Sequence, residues 1–297
     1  MSPFLLYALG LAALGGVYAL DRVANTVVRP LPHPPDRSVP DLGLDHEALR
    51  IPSGGHELGA WLLRAARPEL AAAAGSDAGP GAGPPLVLLA HGWGASHGIV
   101  LRLAEPLVRR GHDVLLFDVR GHGVNAALPY VTVRCFRDDL MAVVAHIRGR
   151  FPERRVVVAG HSFGGAAAVL AAAEGAAIDG LVLIATPSDI VRITAEYLTS
   201  RGLPGPLLVA TLRPFWWRRV GGTFLPLTPS RRIRELAVPL LIIQPELDMR
   251  VARSHAERLA AAAGVSYHLV PGSEHTDVLE APMTLKLIGE FLAKMSG

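Results

Sequence analysis

From His46 onward, short runs of leucine and β-branched residues alternate with longer segments whose apolar positions recur three and four apart. Leu86 to Ala90, Asp113 to Phe117, Val156 to Ala159, Gly180 to Ile184, Pro239 to Ile243 and Val265 to Val270 read as buried strands. Ile99 to Arg110, Arg134 to Arg150, Ala166 to Ala173, Ala252 to Ala263 and Asp277 to Lys294 read as helices, with Phe136, Leu140, Val143, Val144 and Ile147 along one face of the second. His46 to Ile51 and Leu58 to Ala66, joined through Ser53-Gly54-Gly55, predict an antiparallel hairpin ahead of them. Strands that alternate with helices need crossover connections and cover on both faces. The pattern therefore predicts an α/β fold: a mostly parallel central sheet of about eight strands, helices on both faces, and a long insert between strands 6 and 7. That insert spans about 187 to 237, where Pro187, Pro204, Pro206, Pro214, Pro226 and Pro229 break the chain into short pieces.

Two stretches depart from this rhythm. Pro3 to Leu20 is apolar and uncharged, close to the length that crosses a bilayer, with Tyr7 and Tyr18 near its ends. Residues 1–21 are accordingly read as an N-terminal hydrophobic anchor helix that meets membrane lipid through residues 3–20. A cleaved signal peptide would use Val17-Tyr18-Ala19 but lacks the basic leading residues of such peptides, and a soluble helix would need a polar face. Residues 22–45 are proline-rich and read as a semi-rigid spacer, leaving 46–297 as the folded domain. Ala71 to Pro85, rich in alanine, glycine and proline, reads as a disordered surface loop.

Charge and cysteine content exclude several classes. The net charge of +3 is carried almost wholly by arginine, with Lys286 and Lys294 as the only lysines. Arginine suits phosphates, yet no nucleic-acid motif accompanies it, so no nucleic-acid partner is expected. Cys135 is alone, which leaves no intrachain disulfide, and neither HExxH nor CxxC occurs, so no metal is expected. The positive-inside rule, applied to Arg22, Arg29 and Arg37 after the apolar segment, puts the domain on the cytoplasmic side; a cleaved segment would mean export.

The chemistry concentrates at Gly160-His161-Ser162-Phe163-Gly164-Gly165, between the strand Val156 to Ala159 and an alanine-rich helix. A strand that reverses into a helix within a few residues needs glycine on both sides of the turning residue, and it lifts that residue above the sheet. A serine hydroxyl is a poor nucleophile unless a general base lies within reach and an acid fixes the tautomer of that base. In the chain order nucleophile, acid, base, Asp248 follows the strand Pro239 to Ile243 and His275 follows Val265 to Val270, both on the carboxyl edge of the sheet. Glu246 competes with Asp248 from the same loop; His255 and His268, inside a helix and a strand, read as packing or surface residues, as does His161. The developing oxyanion needs backbone N–H donors, which Phe163 and Trp93 would supply, Trp93 being flanked by Gly92 and Gly94.

Together HGWG, DVRGHG, GHSFGG, Asp248 and His275 in PGSEHTD resemble the α/β-hydrolase fold superfamily, in its serine-hydrolase branch of esterases, lipases, thioesterases and S33-type aminopeptidases. The resemblance covers His46 to the C-terminus. It implies no cofactor, and Ser162 at the nucleophile position departs from the branches that use aspartate there. The resulting expectation is a membrane-anchored serine hydrolase that cleaves carboxylic esters or thioesters with an apolar acyl part. The resemblance also implies that the insert, about 187–237, is a helical cap inserted between strands 6 and 7, in which Phe215-Trp216-Trp217 would roof the acyl pocket and Glu196 is the carboxylate able to receive a free amine. An S33-like aminopeptidase, and a catalytically silent membrane-tethered binding protein of the same fold, are the alternatives. Substrate identity and oligomeric state are not legible in the sequence.

Overall fold

Strands that are apolar at every position must be covered on both faces, and the arrangement of this chain follows from that demand. The structure is a computed structural model describing residues 2–31, 35, 37–65 and 84–296. After helix α1 (Pro3–Val27) come strands β1 (His46–Ser53), β2 (His56–Leu63) and β3 (Leu86–Ala90). Helix α2 (His97–Arg109), β4 (Val114–Phe117), α3 (Val133–Arg150), β5 (Val156–His161), α4 (Phe163–Ala173) and β6 (Gly180–Ile184) follow. An insert of helices α5 (Ile190–Ser200), α6 (Gly205–Val220) and the single turn α7 (Pro229–Arg232) precedes β7 (Leu240–Pro245), α8 (Arg253–Ala263), β8 (Tyr267–Val270) and α9 (Pro282–Lys294).

Eight strands form one sheet in the order β1-β2-β4-β3-β5-β6-β7-β8. β1 and β2 pair antiparallel, β2 joins β4 antiparallel, and every pairing from β4 to β8 is parallel. The two-residue period of a strand divides its side chains between two cores. Leu86, Leu88, Val156, Val158, Leu181 and Leu183 face α3, α4 and α8, whereas Val87, Leu89, Val157, Val182 and Ile184 face α2 and α9. Parallel pairing brings the carboxyl ends of β3, β5, β7 and β8 to one edge, where the loops carrying Trp93, Ser162, Asp248 and His275 begin.

Three expectations change. The closing helix predicted from Asp277 is split into a 3-10 turn, Asp277–Leu279, and α9, because Pro282 has no N–H to continue a helix and starts the new one. The low-complexity run Ala71 to Pro85 lies outside the described residues except for its last two. The apolar N-terminal helix does not stop at Asp21-Arg22 but runs on to Val27, and its last turns lie on the insert. Ala24 is fully buried against Trp216, Val209 and Leu212, and the Trp216 indole N–H donates to Ala24 O at 3.0 Å. Arg219 reaches Asp21 Oδ1 at 2.9 Å and Asn25 Oδ1 at 2.7 Å. The expected spacer likewise touches the domain at several points: Val28 O accepts the Val131 N–H at 2.8 Å, and Pro30 and Val39 are buried. Asp21 ends the apolar run in sequence without ending the helix, since Arg219 neutralises it.

Candidate active site

The turn between β5 and α4 is built on close backbone approach. A Cβ at Gly160 would sit 2.4 Å from Gly165 N, and one at Gly164 would sit 2.2 Å from Ala90 O, so only glycine fits either position. Between them Ser162 adopts φ 55° and ψ −121°, a conformation that costs a non-glycine residue about 1–3 kcal/mol. Its N–H donates to Ile184 O at 2.8 Å, which pins the residue to the neighbouring strand β6. Ser162 and His275 each retain 8% exposure, enough for a small group to reach them.

The loops after β7 and β8 meet at this turn. His275 Nδ1 donates to Asp248 Oδ2 at 2.8 Å, while Asp248 Oδ1 accepts the N–H groups of Arg250 and Val251, both at 2.8 Å. With Nδ1–H directed at Asp248, the His275 tautomer so fixed carries its lone pair on Nε2. Glu246, the competing carboxylate, accepts from Gly272 N–H at 2.8 Å instead and so closes the loop after β8. His161 Nε2 donates to the backbone oxygen of His275 at 2.7 Å, with the two rings 4.7 Å apart, so the residue before Ser162 holds the His275 loop on the turn. Among the described residues Ser162 Oγ makes no hydrogen bond to His275; such bonds commonly tighten only when substrate is bound.

The loop after β3 forms the other wall. A Cβ at Gly92 would lie 2.9 Å from Ser162 Cβ, which puts the Gly92 backbone beside the serine. His91 is sealed from solvent; its Nε2 accepts the Val119 N–H at 3.0 Å, so the proton is on Nδ1, which donates to Gly92 O at 2.8 Å. That bond fixes the plane of the Gly92–Trp93 peptide, whose N–H points opposite to its carbonyl. Trp93 packs on Phe163, Phe136 and His122. Behind it, buried Asp118 accepts from His97 N–H at 2.6 Å, His97 Nδ1 at 2.9 Å and Val124 N–H at 2.9 Å. Burial pushes the Asp118 carboxyl up, but the His97 hydrogen bond, the polar rings of His91 and His97 and the Val124 N–H outweigh it and hold the group below its usual range.

Burial, and then the repulsion a second proton would meet from the adjacent imidazole, His275 or His91, push His161 and His122 each down to about 3 from the ordinary 6.5. Both are therefore neutral when folded. A depressed folded pKa stabilises the fold above the unfolded value of about 6.5, and that contribution is lost as pH falls toward about 3. The expected result is a Tm that declines steadily between pH 6.5 and 3.5, with a shallower decline in His122→Phe and in His161→Phe. Slopes identical to the parent protein would assign the acid lability to other groups.

Two further features were not legible from the sequence. Ser188, His255 and Glu196 form a second serine, histidine and carboxylate set: Ser188 N–H and Oγ lie 3.0 and 2.9 Å from His255 Nδ1, and His255 Nε2 donates to Glu196 Oε2 at 2.8 Å. Ser188 and His255 are fully buried, so this set ties the insert to α8 instead of offering a nucleophile. Because Glu196 also takes Arg192 Nε at 2.6 Å, its carboxylate is already committed. The aromatic triplet is placed differently from expectation as well: Trp216 faces α1, while the apolar wall at Phe163 is made by Val220, Leu227 and Phe224. Among the described residues no group of three or more His, Cys, Asp or Glu is arranged to hold a metal ion.

Residues 84–213 match the family model described as serine aminopeptidase, S33. Over 113 residues the chain is 40% identical to a pimeloyl-[acyl-carrier protein] methyl ester esterase of Chromobacterium violaceum; the match takes in 38% of this chain and 41% of that enzyme. The chain thus spans less than half the length of that relative. Among solved structures, an esterase of Pyrococcus furiosus superposes with a TM-score of 0.69 at 22% identity, covering 91% of this chain and 98% of that one. A proline iminopeptidase of Mycobacterium smegmatis gives 0.60 at 19% identity, covering 84% and 99%. At these identities the two structures speak to the fold alone.

Proposed function

Since the chain belongs to the α/β-hydrolase fold superfamily, in its serine-hydrolase branch, we propose that it is a membrane-anchored enzyme that hydrolyses carboxylic esters or thioesters with an apolar acyl group. The observation that carries this reading is the 2.8 Å hydrogen bond from His275 Nδ1 to Asp248, held against the turn that bears Ser162. It leaves His275 Nε2 free to take the Ser162 proton as Oγ attacks the carbonyl carbon. The oxyanion that forms is met by the N–H groups of Phe163, at the start of α4, and Trp93, whose peptide plane His91 fixes. His275 then passes its proton to the departing alcohol or thiol, leaving an acyl ester on Ser162. Water repeats the sequence: its proton goes to His275 and on to Ser162 Oγ as the acid leaves.

The acyl preference rests on the apolar wall of Phe163, Val220, Phe224 and Leu227. Each methylene that leaves water contributes about 0.8 kcal/mol, so two more raise kcat/KM about tenfold if that binding is expressed in the transition state. Hexanoyl and octanoyl p-nitrophenyl esters are expected to outperform the acetyl ester, and all of them to outperform aminoacyl amides. A rate that is independent of chain length between two and eight carbons would remove the apolar-wall argument. Release of an N-terminal residue from a peptide is the second reading, favoured by the description of the matching family model. Glu196, engaged by Arg192 and His255, speaks against it as the receptor of a free amine.

The anchoring part rests on α1, the one helix among the described residues long and apolar enough to cross a membrane. Phe4, Tyr7, Leu14 and Tyr18 are each at least two-thirds exposed, an arrangement that suits lipid and not water.

A further inference from the structure

A cleft of about 320 Å³ opens where α1 leaves the domain, lined by Arg22, Asn25, Thr26 and Arg29 on one side and by residues 127–129 on the other. That volume is at the small end of the range for small-molecule sites. No acidic side chain lines it. Arg22 and Arg29 have no carboxylate partner among the described residues, because the nearest one in sequence, Asp21, is taken by Arg218 and Arg219. Asn25 Oδ1 accepts from Arg219 Nε at 2.7 Å, so the donors of that side chain, its amide N–H groups, are not used in this bond. Two arginines and an asparagine thus bring donors to a cleft whose other wall, Ala127, Leu128 and Pro129, is apolar, a combination that suits a tetrahedral anion with several acceptor oxygens carried on an apolar chain.

The position of the cleft narrows the source of that anion. The uncharged segment of 18 residues from Pro3 to Leu20 rises about 27 Å as a helix, close to the roughly 30 Å of a hydrocarbon core. Arg22 follows within one turn, beside the exposed Tyr18, at the depth where headgroup phosphates lie. We propose that this cleft binds a phosphate group, of the kind a membrane phospholipid carries, between Arg22 and Arg29. Its depth rests on the reading of α1 as a membrane helix; the chemistry of its lining does not.

The test uses the full-length chain in neutral detergent micelles, titrated calorimetrically with six-carbon diether phosphatidylglycerol, the matching diether glycerol without phosphate, and inorganic phosphate. The ether links keep an esterase from consuming the probe. Expected are saturable binding of phosphatidylglycerol, weakened at least tenfold in Arg22→Gln/Arg29→Gln, and little binding of the phosphate-free lipid. The variant Arg234→Gln/Arg258→Gln, with the same loss of charge at exposed sites elsewhere, should bind like the parent. Inorganic phosphate binding as tightly as the lipid would support the site and assign it to the free ion. Equal affinity in the parent and in Arg22→Gln/Arg29→Gln, or equal affinity for the phosphate-free lipid, overturns the proposal. Release of the full chain from membranes by alkaline carbonate would sink the membrane-helix reading alone, since the micelle titration still reports on the cleft.

Discussion

Ser162→Ala is expected to lower ester turnover by about 10⁴ to 10⁶-fold and to abolish labelling by a fluorophosphonate probe while leaving the fold intact. The lost hydroxyl makes no hydrogen bond that the turn depends on; the contacts that hold position 162 are its backbone N–H to Ile184 O and the bonds from Gly165 and Ala166 to its carbonyl. His275→Ala should lose a comparable amount, and Ser162→Ala/His275→Ala should be no worse than either single change, because residues that act as one unit have non-additive effects. Asp248→Asn keeps the loop contacts of Oδ1 but can present an amide N–H to His275 Nδ1, forcing the wrong tautomer. Ser162→Gly adds a control: it should be as inactive as the alanine variant yet more stable, since glycine accepts φ 55° without strain. A Ser162→Ala protein with normal turnover would show that the nucleophile lies elsewhere.

Gly164→Ala is expected to be among the most damaging single methyl additions in the described fold. Its Cβ would lie 2.2 Å from Ala90 O and 2.7 Å from His91 O. Both oxygens are backbone atoms at the end of β3, which is paired on either side and has no room to retreat. Relief would require moving α4 off the sheet, which would carry Ser162 and Phe163 with it. A loss above about 4 kcal/mol, or about 10 °C or more in Tm, is expected together with loss of activity. Gly149→Ala, on the exposed side of α3 with nothing within 4 Å of the added carbon, should instead raise stability by about 0.5–1 kcal/mol. If the two variants melt alike, close approach at the turn is not what holds glycine at position 164.

The contrast between these two glycines shows what can be read from a sequence. Gly160, Ser162 and Gly164 were legible because local chemistry dictates them: a strand, a sharp reversal and a helix within ten residues leave little choice of residue. The strand and helix periods likewise gave the α/β class and the edge on which the loops gather. Asp248 could be separated from Glu246 only in space, where one meets His275 and the other Gly272. His161 could be read as packing, but its bond to the His275 carbonyl joins loops 114 residues apart and has no local signature. Trp216 shows the opposite failure. Its size signalled burial correctly, while the surface that buries it belongs to a helix 192 residues earlier.

That last contact bears on how the protein is handled. Arg219 is only 7% exposed and donates to Asp21 and Asn25 as well as to Phe215 O, so excising everything before residue 40 uncovers an indole and removes the carboxylate and amide partners of a buried guanidinium on the insert. The insert also supplies Val220, Leu227 and Phe224 beside Phe163, a few residues from that wound. The excised fragment would carry the proposed acyl wall on an unfinished support. Substrate preferences measured on the fragment would describe that damage as much as the native specificity.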